Sequence, residues 1–156
     1  MMATLEPAAV TAPRADDDIL LKVEDLQTHF LIGSSAIKSV DGVSFSLRRG
    51  QTLAVVGESG SGKSVTSLTI MRLLAHPGRI VGGSILYRLR SGETVDLAQI
   101  PEKRMRAIRG SEIAMIFQEP MTSLNPLFTV GDQIMEMILL HETMSRSQAR
   151  DRKSVV

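Results

Sequence analysis

Gly57, Gly62, Lys63 and Ser64 stand at the spacing G-x-x-x-x-G-K-[ST] within the run Gly57 Glu58 Ser59 Gly60 Ser61 Gly62 Lys63 Ser64. That pattern is suited to holding phosphate. Gly57, Gly60 and Gly62 admit backbone conformations that a side chain would block, so successive N–H groups from Gly60 to Val65 can converge on one anion. Lys63 is placed to reach the β and γ phosphates as a flexible point charge, and the Ser64 hydroxyl to ligate a magnesium ion bridging them. The plainer alternative is a glycine-rich turn that only joins two elements. What separates the two is the context on either side.

The elements that must position these residues are legible nearby. The apolar run Leu53 Ala54 Val55 Val56 predicts a short buried strand delivering the chain to the loop, and Val65 to Ala75 predicts the helix that leaves it. The helix start adds unpaired donors and a positive dipole end. Its Val65, Leu68, Met71 and Leu74, with Ile70 and Leu73 beside them, form a wide apolar surface, and His76 Pro77 Gly78 is expected to stop it.

Upstream, Met1 to Asp18 carries four acidic residues and one arginine without sustained periodicity, and reads as a disordered leader rather than a transit peptide. Leu21, Val23, Leu26, Phe30, Leu31 and Ile32 predict one strand, Gly33 Ser34 Ser35 a turn, and Ile37 to Leu47 a second, half-buried strand. Downstream, Ser84 to Tyr87 and Thr94 to Leu97 predict a hairpin around Ser91 Gly92. Pro101 to Ile108 predicts a short basic helix whose Lys103, Arg104 and Arg106, with Arg109 beyond it, form a solvated face. Ile113 to Phe117 is a second apolar strand. Thr129 with Asp132 starts a helix with Val130, Ile134, Met137 and Ile138 on one face, and Ser145 with Gln148 could cap another. The methionines Met135, Met137 and Met144 read as adaptable packing.

Composition limits what this can be. The chain has 156 residues, 43% of them hydrophobic, enough for one domain with a core. A net charge of +1 gives no electrostatic case for nucleic acid or an anionic membrane. With no cysteine, disulfides, thiolate metal sites and cysteine nucleophiles are excluded. No apolar run reaches the roughly 18 residues that span a bilayer, so membrane association is expected through a partner. His29, His76 and His141 have no metal-ligand spacing and read as structural or surface residues. Ala114 to Phe117 followed by Gln118 Glu119 mimics the strand-plus-acid magnesium site of phosphate-loop enzymes, but a glutamine stands where the aspartate belongs.

The phosphate loop, Gln118 lying 55 residues after Lys63, and the run Phe117 Gln118 Glu119 Pro120 Met121 Thr122 Ser123 Leu124 Asn125 Pro126 together resemble the ATP-binding subunits of ABC importers. Within them they resemble the oligopeptide, dipeptide and nickel branch, nearest to glutathione importers. The resemblance covers Leu20 to about Arg152. It implies an α/β P-loop NTPase fold: an ABC nucleotide-binding domain with a RecA-like core and an antiparallel β subdomain. Phe30 would stack on adenine, Gly57 to Ser64 with Val65 would hold the phosphates of ATP, and Gln118 would contact magnesium (Mg2+) and the attacking water. Residues 19–156 would be the N-terminal part of the domain, with its helical subdomain beginning at about Glu119. That subdomain would dock on transmembrane permease subunits at the cytoplasmic face of the membrane. A second nucleotide-binding domain would close over two ATP molecules, and a periplasmic binding protein would act indirectly.

Departures from the family set a further expectation. Nothing after Gln118 supplies a Leu-Ser-Gly-Gly-Gln-like signature, a strand ending in Asp-Glu, or a switch histidine. Hydrolysis by this chain alone is not expected, since the nucleophile would be unaligned and the transition-state charge half clamped. By the same resemblance, the strands between Leu53–Val56 and Ile113–Phe117 are missing, leaving apolar edges exposed. The expectation is a truncated form of an importer ATPase, with a permease-docking fragment or an inactive relic as alternatives. A GTPase is disfavoured because no Asn-Lys-x-Asp sequence is present, and a small-molecule kinase because it leaves the Gln118 loop unexplained.

Overall fold

The computed structural model describes residues 18–118 and 124–152. Four antiparallel strands in the order β2-β1-β3-β4 make its sheet: β1 Ile19–Ile32, β2 Ser35–Arg48, β3 Gly78–Arg88 and β4 Thr94–Asp96. The two long strands and the hairpin turn fall where alternation and turn residues place them, but β3 begins at Gly78, six residues before the expected Ser84, because its first residues pair with Gln27 to Phe30 of β1. Gly33, at φ 58°, opens the two-residue turn that sets β1 against β2 from Ile32↔Ser35 to Ile19↔Arg48. In the middle of the sheet the ladder skips between Glu24 and Gln27, and a Cβ on Gly83 would run into the Glu24 and Asp25 carbonyls. A bulge there bends the sheet.

The core lies on one face. Val23, Leu26, Val40, Ile85, Tyr87, Val95 and Leu97 from the strands and their ends close over Met105 and Ile108 of α2, the helix Glu102–Ile108. Those two helix residues are three apart and share a face, which is why so short a helix has a buried side at all.

Helix α1 follows the glycine-rich loop but spans Lys63–Ile70, ending earlier than the Val65 to Ala75 expected from its apolar residues. The stop is not His76 Pro77 Gly78. Arg72 adopts a left-handed φ of 51°, its N–H bonds the Thr69 carbonyl at 2.9 Å, and the Leu73 N–H reaches back to Leu68 at 2.8 Å. This Schellman arrangement usually takes glycine, so apolar periodicity gave no warning of it.

The two apolar runs are the larger correction. Neither Leu53–Val56 nor Ile113–Phe117 forms a ladder among the described residues; only the single bridge Arg109↔Ile113 is present. Val56 is 89% exposed and Ile116 91%. A strand exists only through its neighbours, and without them its backbone groups bond water instead.

Helices α3, Val130–His141, and α4, Arg146–Arg152, pack on each other. Their starts are as expected: the Asp132 N–H donates to Thr129 Oγ1 at 3.1 Å, and a reciprocal box closes as the Ser145 N–H donates to Gln148 Oε1 at 2.9 Å and the Gln148 N–H to Ser145 Oγ at 3.3 Å. Their packing is not. Met135 is the buried residue of α3, while Val130 and Met137 of the expected face are exposed. No described helix is long and apolar enough to cross a membrane.

Candidate functional site

Gly62 is the tightest point of the loop. It caps α1 with φ 88°, and a Cβ there would fall on the Ser39 carbonyl oxygen of β2. Only glycine lets the loop sit this close to the sheet. No side chain caps α1, so the N–H groups of Lys63, Ser64 and Val65 precede the first helical bond, from the Thr66 N–H to Gly62 O at 2.8 Å. These are orphan donors at the positive end of a helix dipole.

The Lys63 ammonium folds back into the loop. Its Nζ donates to the carbonyls of Gly57 and Glu58, both at 2.7 Å, and to Ser61 Oγ at 3.3 Å. A phosphate entering the loop would exchange neutral carbonyl partners for an anion, which strengthens the bonds the lysine makes. Gly57, Glu58 and Ser61 therefore shape the lysine's seat, while Gly60, at φ 80°, turns the chain between Ser59 and Ser61.

Lys63, Ser64 and Gln118 line one cleft of about 570 Å3. Its other walls are mainly apolar, among them Val55, Leu68, Ile116 and Phe117. Phe30 is not on that lining. It lies in β1 opposite Ile37 and Gly78, and its ring edge occupies the space a Cβ on Gly78 would need. The run Glu119–Ser123, central to the family marker, is outside the described residues. Among the described residues no three His, Cys, Asp or Glu side chains gather as a metal cluster. The Ser64 hydroxyl and the Gln118 amide are among the side-chain oxygens that line the cleft, and both are hard neutral donors of the sort magnesium accepts beside phosphate.

Two features behind the site escape sequence reasoning. Thr28 of β1 and Thr69 of α1 are fully buried and share a hydrogen bond at 3.0 Å, joining the sheet to the loop helix. Arg109 is the other. Expected on a solvated face, it is only 19% exposed and bonds the Met71 and Arg72 carbonyls and Glu102. The hydrogen bond from Arg109 is the main cause that holds the Glu102 carboxyl below its ordinary range. Burial, with the Glu112 charge second, pushes the Tyr87 phenol up. Nothing in the spacing of Arg109 sets it apart from its arginine neighbours.

A glycine-rich loop at a helix start, its lysine and hydroxyl sharing a cleft with a glutamine, on an antiparallel sheet subdomain, defines the class: a P-loop NTPase cassette. A profile of the family described as ABC transporter matches residues 40–155, and the chain belongs to that family. It is 55% identical over 131 residues to a peptide import ATP-binding protein of Brucella abortus (strain 2308), covering 83% of this chain and 39% of that protein. It is 53% identical over 131 residues to the glutathione import ATP-binding protein GsiA of Escherichia coli O157:H7, covering 83% of this chain and 21% of that protein. The chain thus spans about two fifths or less of the length of these relatives. In fold it is similar to the dimeric, post-hydrolysis ATP-binding cassette MJ0796 bound to ADP and Pi, with a TM-score of 0.69 at 21% identity, covering 85% of this chain and 53% of that one.

Proposed function

We propose that this chain binds magnesium-ATP as the nucleotide-binding part of the ATPase subunit of a peptide or glutathione importer. The observation that carries the reading is the shared cleft of Lys63, Ser64 and Gln118. Lys63 and the N–H groups from Gly60 to Val65 bind the phosphates, and Phe30 stacks on adenine. The Ser64 hydroxyl and Gln118 amide oxygen would hold magnesium, which neutralises charge between the phosphates when bound. Gln118 also orients the attacking water in the assembled transporter. There the chain pairs with a second nucleotide-binding domain and docks, through a helical subdomain from about Glu119, on permease subunits at the cytoplasmic face of the cell membrane. A periplasmic binding protein delivers the cargo from the other side.

Equilibrium dialysis with magnesium-ATP tests this, with circular dichroism on the same samples. Saturable binding is expected, weakened on the order of 10- to 100-fold by Lys63→Ala, since a charge-assisted hydrogen bond contributes about 1.5–3 kcal/mol. Gln118→Ala is expected to weaken binding only when magnesium is present. A folded chain with no saturable binding would overturn the reading. A second reading, a fragment that occupies the permease without using nucleotide, draws on exposed Leu127, Phe128 and Leu140. Capture of the permease by a chain that does not bind ATP would favour it.

A further inference from the structure

We propose that Arg109 is a positioning residue that holds the two walls of the cleft in register, the Lys63–Ser64 helix on one side and the Gln118 segment on the other. It rests on the nucleotide-binding reading only for its effect on affinity.

The side chain grips the first wall. Arg109 Nε donates to the Met71 carbonyl at 2.7 Å and Nη2 to the Arg72 carbonyl at 3.0 Å, while Nη1 bonds Glu102 Oε1 at 2.7 Å. The carbonyl end of a helix is its negative end, where a cation is favoured. Arg72 is itself held in a left-handed conformation that costs a side-chain-bearing residue free energy. It persists because its guanidinium reaches the Ile100 carbonyl at 2.5 Å and Glu102 at 3.5 Å while Arg109 fixes its carbonyl. Helix α1 has only eight residues, about 12 Å of rigid rod. Clamping one end therefore fixes the other, where Lys63 and Ser64 stand.

The main chain of the same residue launches the second wall. Arg109 forms the isolated parallel bridge with Ile113, and the Gly110 N–H bonds the Ile113 carbonyl at 2.9 Å. From Ile113 the chain runs without further ladder bonds to Gln118. One residue thus holds the end of α1 by its side chain and the root of this segment by its backbone. Lysine would keep the charge but not the planar fork that spans three acceptors.

Because the chain has no cysteine, Ser67→Cys with Ile116→Cys places one nitroxide on each wall and nowhere else. Pulsed electron paramagnetic resonance then reads the distance between walls without nucleotide. A narrow distribution is expected in the labelled parent, and a broadened or shifted one in Arg109→Ala and Arg109→Lys while circular dichroism is retained. If the alanine variant does not fold, the lysine variant decides. An unchanged distribution in a folded variant, or a broad one already in the parent, would overturn the proposal. Magnesium-ATP affinity should fall about 3- to 10-fold in Arg109→Lys, and adding Gln118→Ala should then cost less than it does in the parent. Additive losses would mean that Arg109 does not act on Gln118. A parent that binds no nucleotide defeats the function proposed above and leaves the distance measurement to judge Arg109.

Discussion

At the scale of single residues, the site is governed by what cannot be replaced. Gly62 combines a left-handed backbone with contact against the Ser39 carbonyl, so either the conformation or the space alone would exclude a side chain. Glu102 acts from further away. It receives Arg109, Arg72 and Arg106, and its carboxyl titrates below the ordinary value of 4.5. A folded-state value below the unfolded one means that its contribution is fully present above that ordinary value and is lost as pH falls through the lowered one. Glu102→Gln should therefore flatten part of the fall in melting temperature between about pH 6 and about pH 3, seen by thermal scans across that range. An acid limb identical to that of the parent would mean the carboxyl contributes nothing to stability. The carboxylate is exposed, so the effect should shrink in high salt.

Between elements, the join of β1 to α1 is the point most open to test. Thr28 and Thr69 bond each other with no water-accessible surface, and Thr69 Oγ1 also reaches the Val65 carbonyl at 2.6 Å. Thr69→Val leaves the Thr28 hydroxyl buried without a partner, a loss of about 1–3 kcal/mol in urea unfolding. Thr28→Val combined with Thr69→Val removes both polar groups and should recover part of that loss. If the double variant is as unstable as the sum of the singles, the two hydroxyls do not act as a pair. Elsewhere the helix starts were readable because a cap is a local event. Thr129 with Asp132 and Ser145 with Gln148 need only three residues of chain to form. The end of α1 is different: the left-handed Arg72 is stabilised by Ile100, Glu102 and Arg109, all far along the chain.

Across the whole molecule, the four-stranded sheet with α2 is well packed, while apolar side chains stand in solvent around the cleft. Val56 and Ile116 are almost completely exposed, on two extended runs with unpaired backbone. Such segments favour self-association through strand edges. Val56→Lys with Ile116→Lys should suppress concentration-dependent association in sedimentation velocity. The unfolding free energy should change by less than about 0.5 kcal/mol, because neither side chain has packing to lose. A parent that stays monomeric at the highest concentrations would remove the premise.

The sequence alone determined the phosphate loop, the antiparallel strands, the hairpin, the basic helix and the helix caps. Each depends on residues close together in the chain or on a periodicity that one element carries by itself. It could also name Lys63, Ser64 and Gln118 separately. That they line one cleft is a tertiary fact, since Gln118 comes 55 residues after Lys63 and reaches the cleft on a run with almost no ladder of its own. Apolar composition made Leu53–Val56 and Ile113–Phe117 look like buried strands, but burial and pairing belong to neighbours, and the described neighbours do not provide them. Arg109 shows the same limit from the polar side: its type fits a solvated face, and only the placement of the Met71 and Arg72 carbonyls turns it into a clamp. Local chemistry is written in the order of the residues; which surfaces are covered, and what a long side chain finds to hold, is decided where distant parts of the chain meet.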